Sequence, residues 1–282
     1  MEILQLFVLP IIGIGVATLG TLVGLGGGFI LVPILLIIFP EATASTISSV
    51  SLTMVFLNAT SATIGNYRAK VIDFKTAGLL AIGAVPAAAL GAIISMQVSR
   101  STFDLSMGIM LILGSIYVVW RGYRATGQED GSDRNPNRHI TERMGRTYRF
   151  YVSTITTASL SPVSGFISSF FGIGGGVINV PAMTFILHMP TRVIAPTAML
   201  LLVLTSSSSL LTRIFTGQFE EGLAPAALLG LGALIGAQIG IYLSPRVNQK
   251  LILIFLAISM ALVGVRQVAP VSYTHLTLPT KA

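Results

Sequence analysis

Charge is what this chain has least of. Only 10% of its 282 residues are Asp, Glu, Lys or Arg, against about 25% in a soluble globular domain. A water-soluble fold of this size could not cover its own surface, which excludes a soluble enzyme, a disordered protein and a nucleic-acid binder. Cysteine is absent, so there are no disulfides, no thiolate chemistry and no Cys-based metal site. The ten carboxylates fall in loops or at the edges of apolar runs, as Glu41, Asp73, Asp104, Glu220 and Glu221 do. Proton pumps and many cation transporters set Asp or Glu inside the helix bundle, and the runs here offer no such relay. Nor do they hold a Ser/His, Cys/His or carboxylate pair at a usable spacing. No enzyme, cofactor or metal site is expected.

What fills the chain is apolar: 53% hydrophobic residues and a mean hydropathy of +0.84. Long apolar runs occupy 3–39, 44–65, 76–96, 103–120, 150–189, 193–215, 223–243 and 251–265. About 20 residues of helix cross a hydrocarbon core of ~30 Å. The runs lack the alternation of barrel strands, so helices must satisfy their backbones. The opening MEILQLF lacks the basic start of a signal peptide, and the first run is expected to stay as a transmembrane segment. The net charge of +7 reads as cytoplasmic loop charge. Seven arginines against four acidic residues fall in the stretch 121–149, whose centre GQEDGSDRNPN has linker composition.

That linker separates two similar halves. GLGGGFILVP (24–33) matches GIGGGVINVP (172–181) at an offset of 148, and the same offset sets Asp73 opposite Glu221, each before an Ala/Gly-rich run. The expected fold is therefore an all-α polytopic membrane helix bundle of two homologous halves, about eight long apolar runs in all, two of them broken at the glycine motifs. The division reads as 1–120 for the N-terminal transmembrane repeat, 121–149 for a basic cytoplasmic linker and 150–267 for the C-terminal repeat. Residues 268–282 form a tail whose closing VSYTHLTLPTKA fits neither half and reads as foreign, so His275 is set aside.

The run 3–39 is too long for one crossing, since a single helix would reach about 55 Å, and too short for two. Gly24, Gly26, Gly27 and Gly28 mark the break, each costing a helix about 1 kcal/mol relative to Ala. Gly172, Gly174, Gly175 and Gly176 repeat the design. The expectation is a full helix, an unwound glycine segment and a half-helix over 29–39. Unwound backbone at membrane depth needs protein or a watery cavity around it, and the N–H groups opening the next half-helix favour an anion. A dinucleotide fingerprint is excluded, because its third glycine would fall at Phe29. Neutral donors inside the runs extend the candidate substrate site to Ser51, Asn58, Asn179 and Ser207. Arg213, near a run end, either attracts an anion or snorkels to the interface. His188, beside Pro190, reads as structural.

The paired G-x-GGG-x4-P segments, with an acidic residue before an Ala/Gly-rich helix, resemble the TauE/SafE family of anion permeases over essentially 3–266. The resemblance implies export of sulfite or organosulfonates such as sulfoacetate across the bacterial cytoplasmic membrane. The second motif places Asn179 where the first has Leu31, so the halves need not contribute equally. At ~100 mV, negative inside, each negative charge leaving gains about 2.3 kcal/mol, and export needs no coupled ion. The expected partners are a small anionic substrate and the lipid bilayer, with no nucleic acid; no oligomeric state is read from the sequence. An anion or small-solute channel and a non-transporting membrane assembly subunit stand as alternatives. Repeats of five crossings each would be inverted and repeats of four parallel, and the loop arginines lean toward inversion.

Overall fold

The computed structural model describes residues 3–124, 136–143, 145–217, 223–244, 246, 254, 257, 258 and 260–268. The run 3–39 divides into α1 (Ile3–Val23) and α2 (Gly28–Ile38). Helix α1 stops because Gly24 takes the left-handed conformation, φ 82°, which glycine adopts without steric penalty. The Gly24 amide then donates to the Thr21 carbonyl at 3.2 Å and the Leu25 amide to the Gly20 carbonyl at 2.8 Å, the paired bonds of a Schellman termination. Gly26 and Gly27 also have positive φ, and α2 starts at once behind them. The second long run behaves alike. Helix α6 (Thr154–Phe171) ends at Gly172, φ 67°, and α7 (Gly176–Phe185) follows. With 11 and 10 residues, α2 and α7 are only about 15 Å long, half the membrane core.

The remaining helices are α3 (Ala44–Ala69), α4 (Phe74–Ser95), α5 (Arg100–Arg124), α8 (Thr191–Phe215) and α9 (Leu223–Leu243). Residues 260–268 are helical as well. Among the described residues, five helices are long and apolar enough to cross a membrane: α1, α3, α4, α8 and α9. Two-thirds of the spanning window is buried in α3 and in α8, but only 33–44% in α1, α4 and α9. The central pair is therefore α3 and α8, with the others around them presenting apolar faces such as Ile82 and Leu231 outward. Helix α1 packs on α9, and α4 on α6. Both seams are made by small residues. A side chain on Gly232 or Gly236 would collide with the carbonyl of Pro10 or Ile14, and one on Gly165 or Gly91 with that of Ala84 or Phe166. Such close backbone approach is how helices gain packing energy in lipid.

Helices α3 and α8 run antiparallel. Arg213, near the end of α8, bonds Ser45 and Ser49 near the start of α3. Thr197, near the start of α8, accepts from the amide of Asp73, just beyond the end of α3, at 3.0 Å. At that second end lies a departure from the all-helical expectation. Inside the stretch read as linker, β1 (Arg138–Thr141) and β2 (Thr147–Phe150) form an antiparallel hairpin, Arg138 opposite Phe150. Gly145, φ 86°, makes its turn. Asn137 ties its base by donating to the Val152 carbonyl and accepting from the Val152 amide. Ile140 and Tyr148 rest against the apolar core, and the Arg143 amide donates to the last carbonyl of α3, that of Ala69. Arginine content hid a segment whose alternate residues pack inward. The centre of the linker, Glu220, Glu221 and the tail beyond Val268 lie outside the described residues.

Candidate functional site

Each glycine turn is seated on the other. A Cβ on Gly28 would fall on the carbonyl of Ile173, and one on Gly176 would fall on Leu25. Gly26 and Gly174 meet the same two side chains, Val55 of α3 and Leu202 of α8; their Cβ positions lie 2.9–3.1 Å from those methyls. A Cβ on Gly24 would lie 2.6 Å from the Cα of Ala195 on α8, and one on Gly172 2.6 Å from the Cα of Ser48 on α3. The two turns thus form one junction, enclosed by the central helices, with no room for side chains on its glycines. They differ at the residue before the half-helix. Gly27 has φ 83° and sits against the carbonyl of Val16; Gly175 has φ −64° and faces the Asn179 side chain.

The polar candidates separate by what they bond. Asn58 is engaged: its Nδ2 donates to the Gly26 carbonyl at 3.0 Å and its Oδ1 accepts from the Thr21 hydroxyl at 2.9 Å. It clamps the first turn. Ser207 donates to the Val203 carbonyl of its own helix, the usual resting place of a serine inside an apolar helix. Asn179 is different. It is 1% exposed, and neither atom of its amide has a partner. Its Nδ2 lies 2.7 Å from where a Gly175 side chain would begin. Ser48 and Ser51 are also fully buried with partnerless hydroxyls. Leaving such groups unbonded in an apolar interior costs about 1–3 kcal/mol each, so a cluster of them around the junction suits a ligand that accepts hydrogen bonds.

Arg213 does not snorkel. It is 0% exposed and turned into the bundle, where Ser45, Ser49 and Ser95 take its hydrogen bonds. Sequence reading placed Arg213 near a run end and missed those three serines. The spacing of Ser45 and Ser49, one helical turn apart, was the available signal. His188 is exposed with φ 48°, its Nδ1 3.2 Å from the Ile186 carbonyl, at the turn leaving α7. Among the described residues no three His, Asp or Glu side chains gather to hold a metal ion. The junction's chemistry is that of neutral donors, and the buried guanidinium of Arg213 lies among the serines Ser45, Ser49 and Ser95.

A family model described as "Sulfite exporter TauE/SafE" matches residues 9–267, both glycine turns included. The chain belongs to the TauE/SafE family. Similar relatives carry matching descriptions. The probable membrane transporter protein YunE of Bacillus subtilis is 26% identical over 263 residues, covering 91% of this chain and 95% of its own. A probable membrane transporter protein of Methanocaldococcus jannaschii is 24% identical over 279 residues, 93% and 95% of the two chains. YjnA, a second B. subtilis protein of that description, is 27% identical over 250 residues, 85% and 91%. No solved structure matches significantly. As a TauE/SafE member with five long apolar helices among its described residues, the protein is a multi-pass membrane transporter and not an enzyme.

Proposed function

We propose that this TauE/SafE protein exports small sulfur-containing anions, sulfite or an organosulfonate, across the cytoplasmic membrane, and that the paired glycine turns form its substrate site. The observation that carries the reading is Asn179: a buried amide without a partner, beside a glycine that opens a half-helix inside the membrane bundle. The first amides of α2 and α7 have no preceding turn to bond, and their dipoles favour negative charge. Hydroxyls of Ser48 and Ser51 add neutral donors, which stabilise an anion without trapping it as a permanent ion pair.

The two halves act as an inverted repeat. The 148-residue offset maps α1 onto α6 and α4 onto α9, and the packing of α1 on α9 and α4 on α6 exchanges under that mapping. Antiparallel α3 and α8 support inversion over parallel duplication. With the arginine-rich linker inside the cell, the hairpin marks the cytoplasmic end and Arg213 lies toward the exterior. The test is release of sulfite from loaded proteoliposomes, with and without an imposed potential. Saturable efflux that accelerates when the loaded side is negative supports the reading. Conductance that never saturates would make the protein a channel, and absence of flux for sulfite and sulfoacetate alike would overturn it.

A further inference from the structure

Arg213 carries a positive charge that no described residue neutralises. Its Nη1 donates to the carbonyl and hydroxyl of Ser45, at 3.2 and 3.0 Å, and to the Ser49 hydroxyl at 3.3 Å; its Nη2 donates to the Ser95 hydroxyl at 2.7 Å. All these acceptors are neutral. Among the described residues no carboxylate lies within 4.0 Å of it. Its Nε–H has no acceptor among the described residues. A guanidinium keeps its proton in proteins and offers five donors in one plane, and a fully buried charge without a counter-charge is strongly unfavourable. The serines take hydrogen bonds from Nη1 and Nη2 but leave the charge unbalanced.

We propose that Arg213, steadied by Ser45, Ser49 and Ser95, is itself a binding site for a small oxyanion, held through Nε–H and the Nη2 donor that Ser95 leaves free. That edge of a guanidinium matches two oxygens of one anion. The site stands apart from the glycine junction yet communicates with it. Ser48 precedes Ser49, has a partnerless hydroxyl and packs on Gly172. Ser51 follows one turn on, also partnerless, and Val55 at the junction lies about 9 Å along α3 from Ser49. A row of hydroxyls on α3 thus joins the two. The anion at Arg213 is either the transported solute on its way out or a resident inorganic ion. Only the direction of that passage rests on the export reading above.

The test uses the full chain in nanodiscs, with thermal unfolding followed in sodium sulfite, sodium chloride or sodium gluconate at equal ionic strength. Sulfite is expected to raise Tm saturably, by about 4 °C at a large excess over Kd, while bulky gluconate does not. The rise is expected to fall in R213M to what the glycine junction alone supplies, and to need several-fold more sulfite in S95A, which leaves the guanidinium in place. An equal rise with chloride overturns the oxyanion assignment, because chloride has no pair of oxygens for the guanidinium edge to match. A sulfite response unchanged in R213M and S95A overturns the proposal. So does a response that arises only after Glu220→Gln and Glu221→Gln together, because one of those carboxylates would then be the counter-charge. Loss of proteoliposome flux with an intact, Arg213-dependent Tm response would overturn the transport reading and leave this site standing.

Discussion

At the scale of single residues, the membrane interior makes stability and function pull against each other. Asn179 is an unsatisfied amide where the other motif has Leu31. Asn179→Leu is expected to leave the protein as stable as before or more so, by up to about 1–3 kcal/mol, while anion flux falls; thermal unfolding and proteoliposome efflux measure the two. Asn58 is the opposite kind of asparagine. Its bonds to Gly26 and Thr21 hold the first turn, so Asn58→Leu is expected to destabilise by about 1–3 kcal/mol through the orphaned carbonyl. Glycines divide in the same way. Gly28→Ala would drive a methyl into the Ile173 carbonyl and should cost about 1–3 kcal/mol. Gly15→Ala meets nothing within 4 Å and should gain about 0.5–1 kcal/mol from helix propensity. Which glycines matter was legible in the sequence for the two motifs, because they repeat and split over-long runs. The roles of the two asparagines were not, because both read simply as amides among apolar residues; only the third dimension shows which one has partners.

At the scale of elements, the hairpin is the part that composition concealed. Its Glu142, 7% exposed, pairs with Arg192 at the start of α8 at 3.4 Å, and its Arg138 lies 3.6 Å from Asp73 at the start of α4. Asp73 also caps α4, accepting from the amides of Lys75 and Thr76, each at 3.1 Å. One polar segment thereby ties the ends of α3, α4 and α8 together. Asp73→Ala should lose the cap and cost about 1–2 kcal/mol. Asp73→Asn keeps a capping side chain and should retain most of that, leaving the Arg138 pairing as the difference; chemical or thermal unfolding of the two variants separates the effects. The two half-helices, by contrast, were predictable as elements. A run of 3–39 that can be neither one crossing nor two must break, and four glycines within five residues say where. The hairpin had no such constraint: its residues are polar enough to be solvated, and it is the packing of Ile140, Tyr148 and Phe150 against the bundle, with the ion pairs of Arg138 and Glu142, that makes it a structure.

For the whole molecule, the antiparallel course of α3 and α8 settles which surfaces lie together. Thr141 and Arg143 share one end with the start of α8, while Thr216 and Ser45 share the other. Because the chain has no cysteine, single replacements give unambiguous labels. Thr141→Cys is expected to react with a membrane-impermeant maleimide only from the cytoplasmic face of oriented vesicles, and Thr216→Cys only from the opposite face. Labelling of both from one side would rule out the antiparallel arrangement. The class, an all-α membrane bundle, was readable from the scarcity of charge and the length of the runs, since lipid tolerates few alternatives. Contacts between the two ends of the chain were not, because apolar helix faces with small residues fit many neighbours.

The interlocking of the two glycine turns has a consequence for how the molecule is made. Helix α1 leaves the ribosome long before α9, yet α9 is its packing partner, and the turn after α1 rests on a carbonyl of Ile173. Until the later helices are synthesised, the first four must wait in the membrane with their small-residue seams open and their unwound backbone uncovered. Assembly of this protein is therefore a late, closing event rather than a sequential one, and whatever shelters the early helices during that interval sets how much of the chain matures.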